Sequence, residues 1–156
     1  MKTRIIGIGN TILSDDGIGI YTVRELSRRL HDIDSSAKPD IVETEVAGFA
    51  LMELMSGWDR VILVDSILFD DIEPGTVVRL GVDNLRTSLK LRSVHEIDLP
   101  TALALGRHLG LPMPSHVSVF GIQAEDTTTL GESLSSAGKR GMEEAVDLIM
   151  KEIVVN

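Results

Sequence analysis

Three polar residues stand where an α/β chain does chemistry. Asp16 lies in the loop after the first apolar run, Asp65 follows Val61-Ile62-Leu63-Val64 directly, and His95 lies in a polar stretch ahead of a helical pattern. In open α/β sheets, ligands collect beyond the carboxyl ends of the strands, so the three residues are expected to converge on one sheet edge. Two carboxylates and an imidazole make an N/O set for a divalent first-row metal, Ni²⁺, Zn²⁺, Co²⁺ or Fe²⁺, with positions left open for water or substrate. Each residue also has an ordinary reading. Asp65 could cap a strand end, where a buried carboxylate needs hydrogen bonds, a cation or a proton. One of Asp15 and Asp16 could cap the following helix, and a lone loop histidine is usually unremarkable.

The other histidines have structural explanations. His31 and His108 fall at helix C-termini, where a cation complements the helix dipole, and His116 starts a strand. There is no cysteine, so thiolate chemistry, zinc–thiolate sites and disulfides are excluded. No H-E-x-x-H motif is present, which excludes a zincin.

The stretch GIGNTILSDDGIG, Gly7 to Gly19, has the look of a phosphate-binding turn. It fails as a dinucleotide fingerprint because the third glycine is missing, and it has no P-loop lysine. Its two adjacent carboxylates would also meet the phosphates. Nucleotide binding is therefore not expected. The formal net charge of −9 argues in the same direction, against nucleic acid and against anionic membrane surfaces.

The elements that must position these residues follow from hydrophobic period. Residues 3–8 read as a buried strand, and Ile20, Val23, Leu26 and Leu30 mark one face of a helix over 17–30. Residues 40–46 alternate like a half-exposed strand, 49–55 read as a short helix, and 60–66 as a central strand covered on both faces. A Pro74-Gly75 turn leads to a strand at 76–81, and 83–97 read as a long loop with at most a helical turn. Asp98 is placed to cap a helix running to about Leu109, followed by a strand over 115–122 and a last helix over 135–153. The pattern β-α-β-α-β-β-α-β-α predicts one domain over 1–156. It is an α/β fold, a three-layer α/β/α sandwich of phosphorylase/hydrolase-like type, on a five-stranded, mostly parallel twisted sheet. The 76–81 strand follows its predecessor without a helix and is expected to be the antiparallel one. Met52, Met55 and Met113 are expected in the core rather than on a peptide-binding surface.

With these residues placed, the chain resembles the hydrogenase maturation proteases, endopeptidases that process the large subunit of [NiFe] hydrogenases. The resemblance rests on Gly7-Ile8-Gly9-Asn10, four residues, then Asp15-Asp16-Gly17-Ile18-Gly19, on the strand Val61-Ile62-Leu63-Val64-Asp65, and on Ser93-Val94-His95. A weaker match is Val119-Phe120-Gly121-Ile122-Gln123 with Gly131 beyond. Glu43-Thr44-Glu45-Val46-Ala47-Gly48 departs from the glycine–threonine pair that many relatives carry, and resembles a subset of the family.

The resemblance implies that Asp16, Asp65 and His95 contact nickel. The nickel belongs to the substrate, a hydrogenase large-subunit precursor that already carries Ni²⁺ and loses a C-terminal extension. It further implies a metal-dependent endopeptidase in which one of the two carboxylates acts as general base or the metal only licenses recognition. Asp15 is expected to cap or orient the glycine turn. A cytoplasmic location is expected, since no signal-peptide pattern or apolar span of about 20 residues is present, and the protein is expected to be a monomer.

Three rivals follow from the same residues. A peptidyl-tRNA hydrolase-like enzyme shares the G-x-G-N opening but continues with Pro-Gly, where this chain has Thr11-Ile12, and it needs a basic groove. An aspartic protease could use an Asp16/Asp65 dyad sharing a proton without metal. A non-enzymatic nickel chaperone or sensor would bind free Ni²⁺ tightly.

Overall fold

The apolar run of the third strand dictates its place. A strand with no polar face must be covered on both sides, and all eight of its residues, Arg60–Ile67, are buried. It occupies the middle of a five-stranded sheet of order β2-β1-β3-β5-β4. The strands are β1 (Thr3–Ile8), β2 (Asp40–Thr44), β3 (Arg60–Ile67), β4 (Val77–Gly81) and β5 (His116–Gln123). The structure is a computed structural model that describes residues 1–33, 36, 38–46, 48–82 and 99–154.

β1 pairs in parallel with β2 and β3, and β3 pairs in parallel with β5. β4 pairs antiparallel with β5, as its short approach through Pro74-Gly75 requires. Gly75 takes a φ of +88°, and its N–H donates to the Gln123 carbonyl at 2.8 Å, which closes that turn onto β5. The partial exposure of every β2 residue suits its position at the sheet's edge.

The described helices are α1 (Ile18–Leu30), α2 (Ala50–Met55), α3 (Leu99–His108) and α4 (Ser136–Val154). Successive strand residues point to opposite faces, and two separate cores result. Ile5, Ile62, Val64, Phe120 and Ile122 meet Ile18, Val23 and Leu26 of α1 and Ala145, Val146 and Ile149 of α4. Ile6, Ile8, Val61, Leu63 and Val119 meet Leu51 and Met55 of α2 and Leu99 and Leu103 of α3. This is the expected three-layer sandwich. Met55 is fully buried and Met113 packs against the second core, as expected of structural methionines.

α3 ends as its glycine predicts. Gly110 takes a φ of +76°, and the Leu111 N–H returns to the Gly106 carbonyl at 2.9 Å. The expected cap Asp98 and the expected loop 83–97 lie outside the described residues. At the end of the sheet where β3 and β5 begin, Glu152 of α4 accepts from Arg79 Nε at 2.8 Å and pairs with Arg60. The last helix is thus tied to β3 and β4.

Candidate active site

The glycine turn is built from close approaches. Gly9, just past β1, has a φ of +156°, and its N–H reaches the Thr44 carbonyl of β2 at 3.1 Å. A Cβ on Gly19 would lie 2.3 Å from both the Ile8 and Val64 carbonyl oxygens. The start of α1 can therefore rest directly on the ends of β1 and β3 only with glycine there. The glycines serve a tight strand-to-helix passage, as the sequence implies.

Between Gly9 and α1 the chain makes a 3₁₀ turn, Ser14–Gly17. It is entered through Ser14 at φ +52°, a left-handed conformation that costs a non-glycine residue about 1–2 kcal/mol. Two bonds hold it there: the Ser14 N–H donates to the Gly131 carbonyl at 2.9 Å, and Ser14 Oγ donates to the Thr129 carbonyl at 2.7 Å. Gly131 N–H in turn donates to the Ile12 carbonyl at 2.9 Å. The loop after β1 and the loop after β5 are zipped together.

The two adjacent aspartates separate sharply in role. The expectation that one of them caps α1 is not met. The residue at that position is Gly17, and no side chain caps the helix, because the intervening 3₁₀ turn draws both carboxylates below the surface. Asp15, fully buried, accepts from Glu125 N–H at 2.9 Å, Asp126 N–H at 3.4 Å, Ser135 N–H at 2.8 Å and Ser135 Oγ at 2.7 Å. Ser135 Oγ also accepts from Gly138 N–H at 3.0 Å, so it caps α4 while donating to Asp15. Asp15 therefore orients the turn, as expected, by fastening it to the far end of the chain.

Asp16 Oδ2 accepts the Asn10 N–H at 3.0 Å, a bond across its own loop. Asn10 Oδ1 accepts the Ile12 N–H at 3.1 Å and so shapes the same turn. The 3₁₀ turn that carries Asp16 packs against β3. Asp65 sits on that strand, 2% exposed, with Oδ1 accepting the Ser66 N–H at 2.8 Å. The expected strand over 60–66 is present and runs one residue further, to Ile67, because β5 pairs it through Gln123, so Asp65 closes the apolar run two residues before the strand's end. Asp65 shares the strand parity of Val61 and Leu63, the face covered by α2 and α3. Opposite it lies Gly121, whose missing side chain leaves room for Ile67.

Asp16 and Asp65 thus stand on neighbouring elements at the edge where β1, β2, β3 and β5 end. His95 lies outside the described residues. Among the described residues, no group of three His, Asp or Glu side chains is arranged to hold a metal. The remaining histidines behave as expected: His31 follows α1, His108 ends α3, and His116 Nδ1 lies 2.9 Å from Ser115 Oγ.

The sequence reading missed Ser14, Asn10 and Ser135 as builders of this edge. Ser135 had a signal, a serine three residues ahead of Gly138 at a helix start. Ser14 had none, because its partners lie 115 residues or more away. Beside the turn, a cleft of about 240 Å³ opens between the ends of β1 and β2, lined by Gly9, Thr11, Thr44 and Glu45 among others.

Comparison with known proteins adds four likenesses. A family model for hydrogenase maturation proteases matches residues 20–152, which include Asp65 and His95 but begin after Asp16. The hydrogenase 2 maturation protease of Escherichia coli is 30% identical over 129 residues, 80% of this chain and 74% of its own length. The hydrogenase expression/formation protein HupD of Thiocapsa roseopersicina is 27% identical over 94% of this chain, which spans 65% of HupD. The solved structure of the [NiFe] hydrogenase maturation protease HybD from Thermococcus kodakarensis superposes with a TM-score of 0.77. It is 26% identical and covers 98% of this chain and 99% of its own.

Proposed function

Because the chain belongs to the hydrogenase maturation protease family, we propose that it is a cytoplasmic endopeptidase that removes the C-terminal extension of a nickel-loaded [NiFe] hydrogenase large-subunit precursor. The observation that carries this reading is the pair of buried carboxylates, Asp16 and Asp65, at the carboxyl edge of β1 and β3. Buried anions favour a cation brought to them, and oxygen donors with an imidazole suit Ni²⁺. His95, four residues before Leu99 in sequence, is the third proposed ligand.

On this reading the nickel is part of the substrate. Asp16, Asp65 and His95 grip it, and that grip sets the scissile bond over the sheet edge. A carboxylate oxygen then takes a proton from the attacking water. The backbone N–H groups of Asn10 and Ser66 fix the orientation of the two acids for this task.

The test offers the purified protein nickel-loaded and nickel-free precursor side by side. Cleavage of the loaded form alone is expected, and equal cleavage of both would end the metal-recognition reading. Calorimetry with Ni²⁺ alone is expected to show weak binding. Tight binding without cleavage of any precursor would point instead to a nickel carrier.

A further inference from the structure

The edge that carries Asp16 and Asp65 is also where exposed apolar side chains gather. Eight large apolar side chains are exposed among the described residues. Four of them, Met1, Leu109, Leu148 and Val154, are scattered over the termini and helices. The other four stand on the loops of this one edge: Ile12 (49% exposed), Val46 (42%), Phe49 (58%) and Leu130 (76%). Their positions are fixed by the backbone. The Gly131 N–H bond to the Ile12 carbonyl sets Ile12 beside Leu130, and the Val46 N–H donates to Thr44 Oγ1 at 3.1 Å. Thr11 and Glu45, which line the cleft between β1 and β2, are the chain neighbours of Ile12 and Val46.

Among the described loops of this edge, the charge has one sign. The described loops of the edge, 9–17, 45–46, 48–49, 68–76 and 124–135, contain no lysine or arginine. They expose Glu45, Asp70, Asp71, Glu73, Glu125 and Glu132. Arg24, which reaches the cleft from α1, is spent in a bidentate pair with Glu43 at 2.8 and 2.9 Å. An edge with exposed apolar side chains, whose described loops carry only carboxylates as charged groups, repels a second copy of the same face and any polyanion. It is complementary to a partner surface that is apolar and bears lysine or arginine.

We infer that this rim is the docking surface for the hydrogenase precursor. It engages an apolar, cationic patch that surrounds the precursor's metal, so that docking energy comes from Ile12, Val46, Phe49 and Leu130 while the flanking carboxylates steer the encounter. The inference rests on the endopeptidase reading above and adds the chemistry of the surface the substrate must present.

The experiment uses the nickel-loaded large-subunit precursor encoded by the same organism. It measures both cleavage kinetics and binding by biolayer interferometry. Phe49→Asp and Leu130→Asp are expected to raise KM tenfold or more while kcat stays within twofold. Wild-type KM is expected to rise steeply with salt, and the double variant Glu45→Lys/Asp70→Lys is expected to flatten that dependence. Leu109→Asp, at the opposite end of the sheet, is expected to change neither. Thermal melting verifies that each variant folds.

Wild-type KM values indifferent to salt, or rim variants that keep KM within twofold, would overturn the docking inference and leave the endopeptidase reading intact. Binding without wild-type cleavage would overturn the endopeptidase reading alone. The rim is then decided by whether Leu130→Asp abolishes binding. Absence of any wild-type binding would overturn both.

Discussion

Asp15 and Asp16 are adjacent, equally buried and chemically identical, yet the fold gives them different partners. Asp15 is saturated by a serine hydroxyl and three backbone N–H groups from the segment around 125–135. Asp16 accepts from Asn10 across its own loop, on the 3₁₀ turn that packs against β3. Substitutions should therefore separate structure from chemistry. Asp15→Ala removes bonds to a charged acceptor and orphans buried donors, so it is expected to cost about 3 kcal/mol, read as a lowered urea midpoint. Asp16→Asn and Asp65→Asn keep shape and an acceptor but lose the carboxylate's charge and basicity. Each is expected to lower kcat/KM on the precursor by about 100-fold or more, with a urea midpoint close to wild type. Full activity in both asparagine variants would remove these residues from the mechanism.

At the scale of the element, the site depends on how closely α1 sits on the sheet. Its first turn rests on the ends of β1 and β3 because Gly19 presents only a hydrogen to two carbonyl oxygens. Gly19→Ala would force the helix away, and overpacking of this kind costs about 1–3 kcal/mol. Because backbone atoms rather than flexible side chains are struck, the upper part of that range is expected in chemical denaturation. The 3₁₀ turn would move with the helix, so activity is expected to fall further than stability alone explains. Periodicity exposed the helix and its buried face, and the glycines marked the turn. The inserted 3₁₀ turn left no such mark, and the expected N-cap was consequently assigned to the wrong residues. The last residue of β3 was also invisible in the sequence, because pairing with β5 through Gln123 rather than local propensity sustains Ile67.

For the whole molecule, Glu152 joins the last helix to two strands at the end of the sheet away from the acidic site. Burial pushes its carboxyl upward, but hydrogen bonds from Arg79 and Arg60 outweigh that, and it titrates below its ordinary 4.5. A carboxylate lowered in the folded state stabilises fully above its unfolded value, and the contribution disappears as pH falls through the folded one. Glu152→Gln is expected to cost on the order of 2 kcal/mol at pH 7, since it leaves the nearly buried Arg60 without its anion. The gap between wild type and variant is expected to close as pH drops below about 4.5, in paired thermal melts. A gap independent of pH would show that shape, not charge, ties the three elements. The sequence by itself determined the layer order of elements, the central place of β3, the antiparallel β4 and the family. Each of these follows from apolar period, turn residues and ordered motifs that are local in the chain. Only the tertiary structure decided which far segment fastens Asp15, that a 3₁₀ turn precedes α1, and that four exposed apolar side chains from three loops stand at one sheet edge. Those outcomes rest on contacts between residues many positions apart, such as Asp15 with Ser135 and Ile12 with Gly131. No local pattern encodes them, because their partners become neighbours only when the sheet assembles.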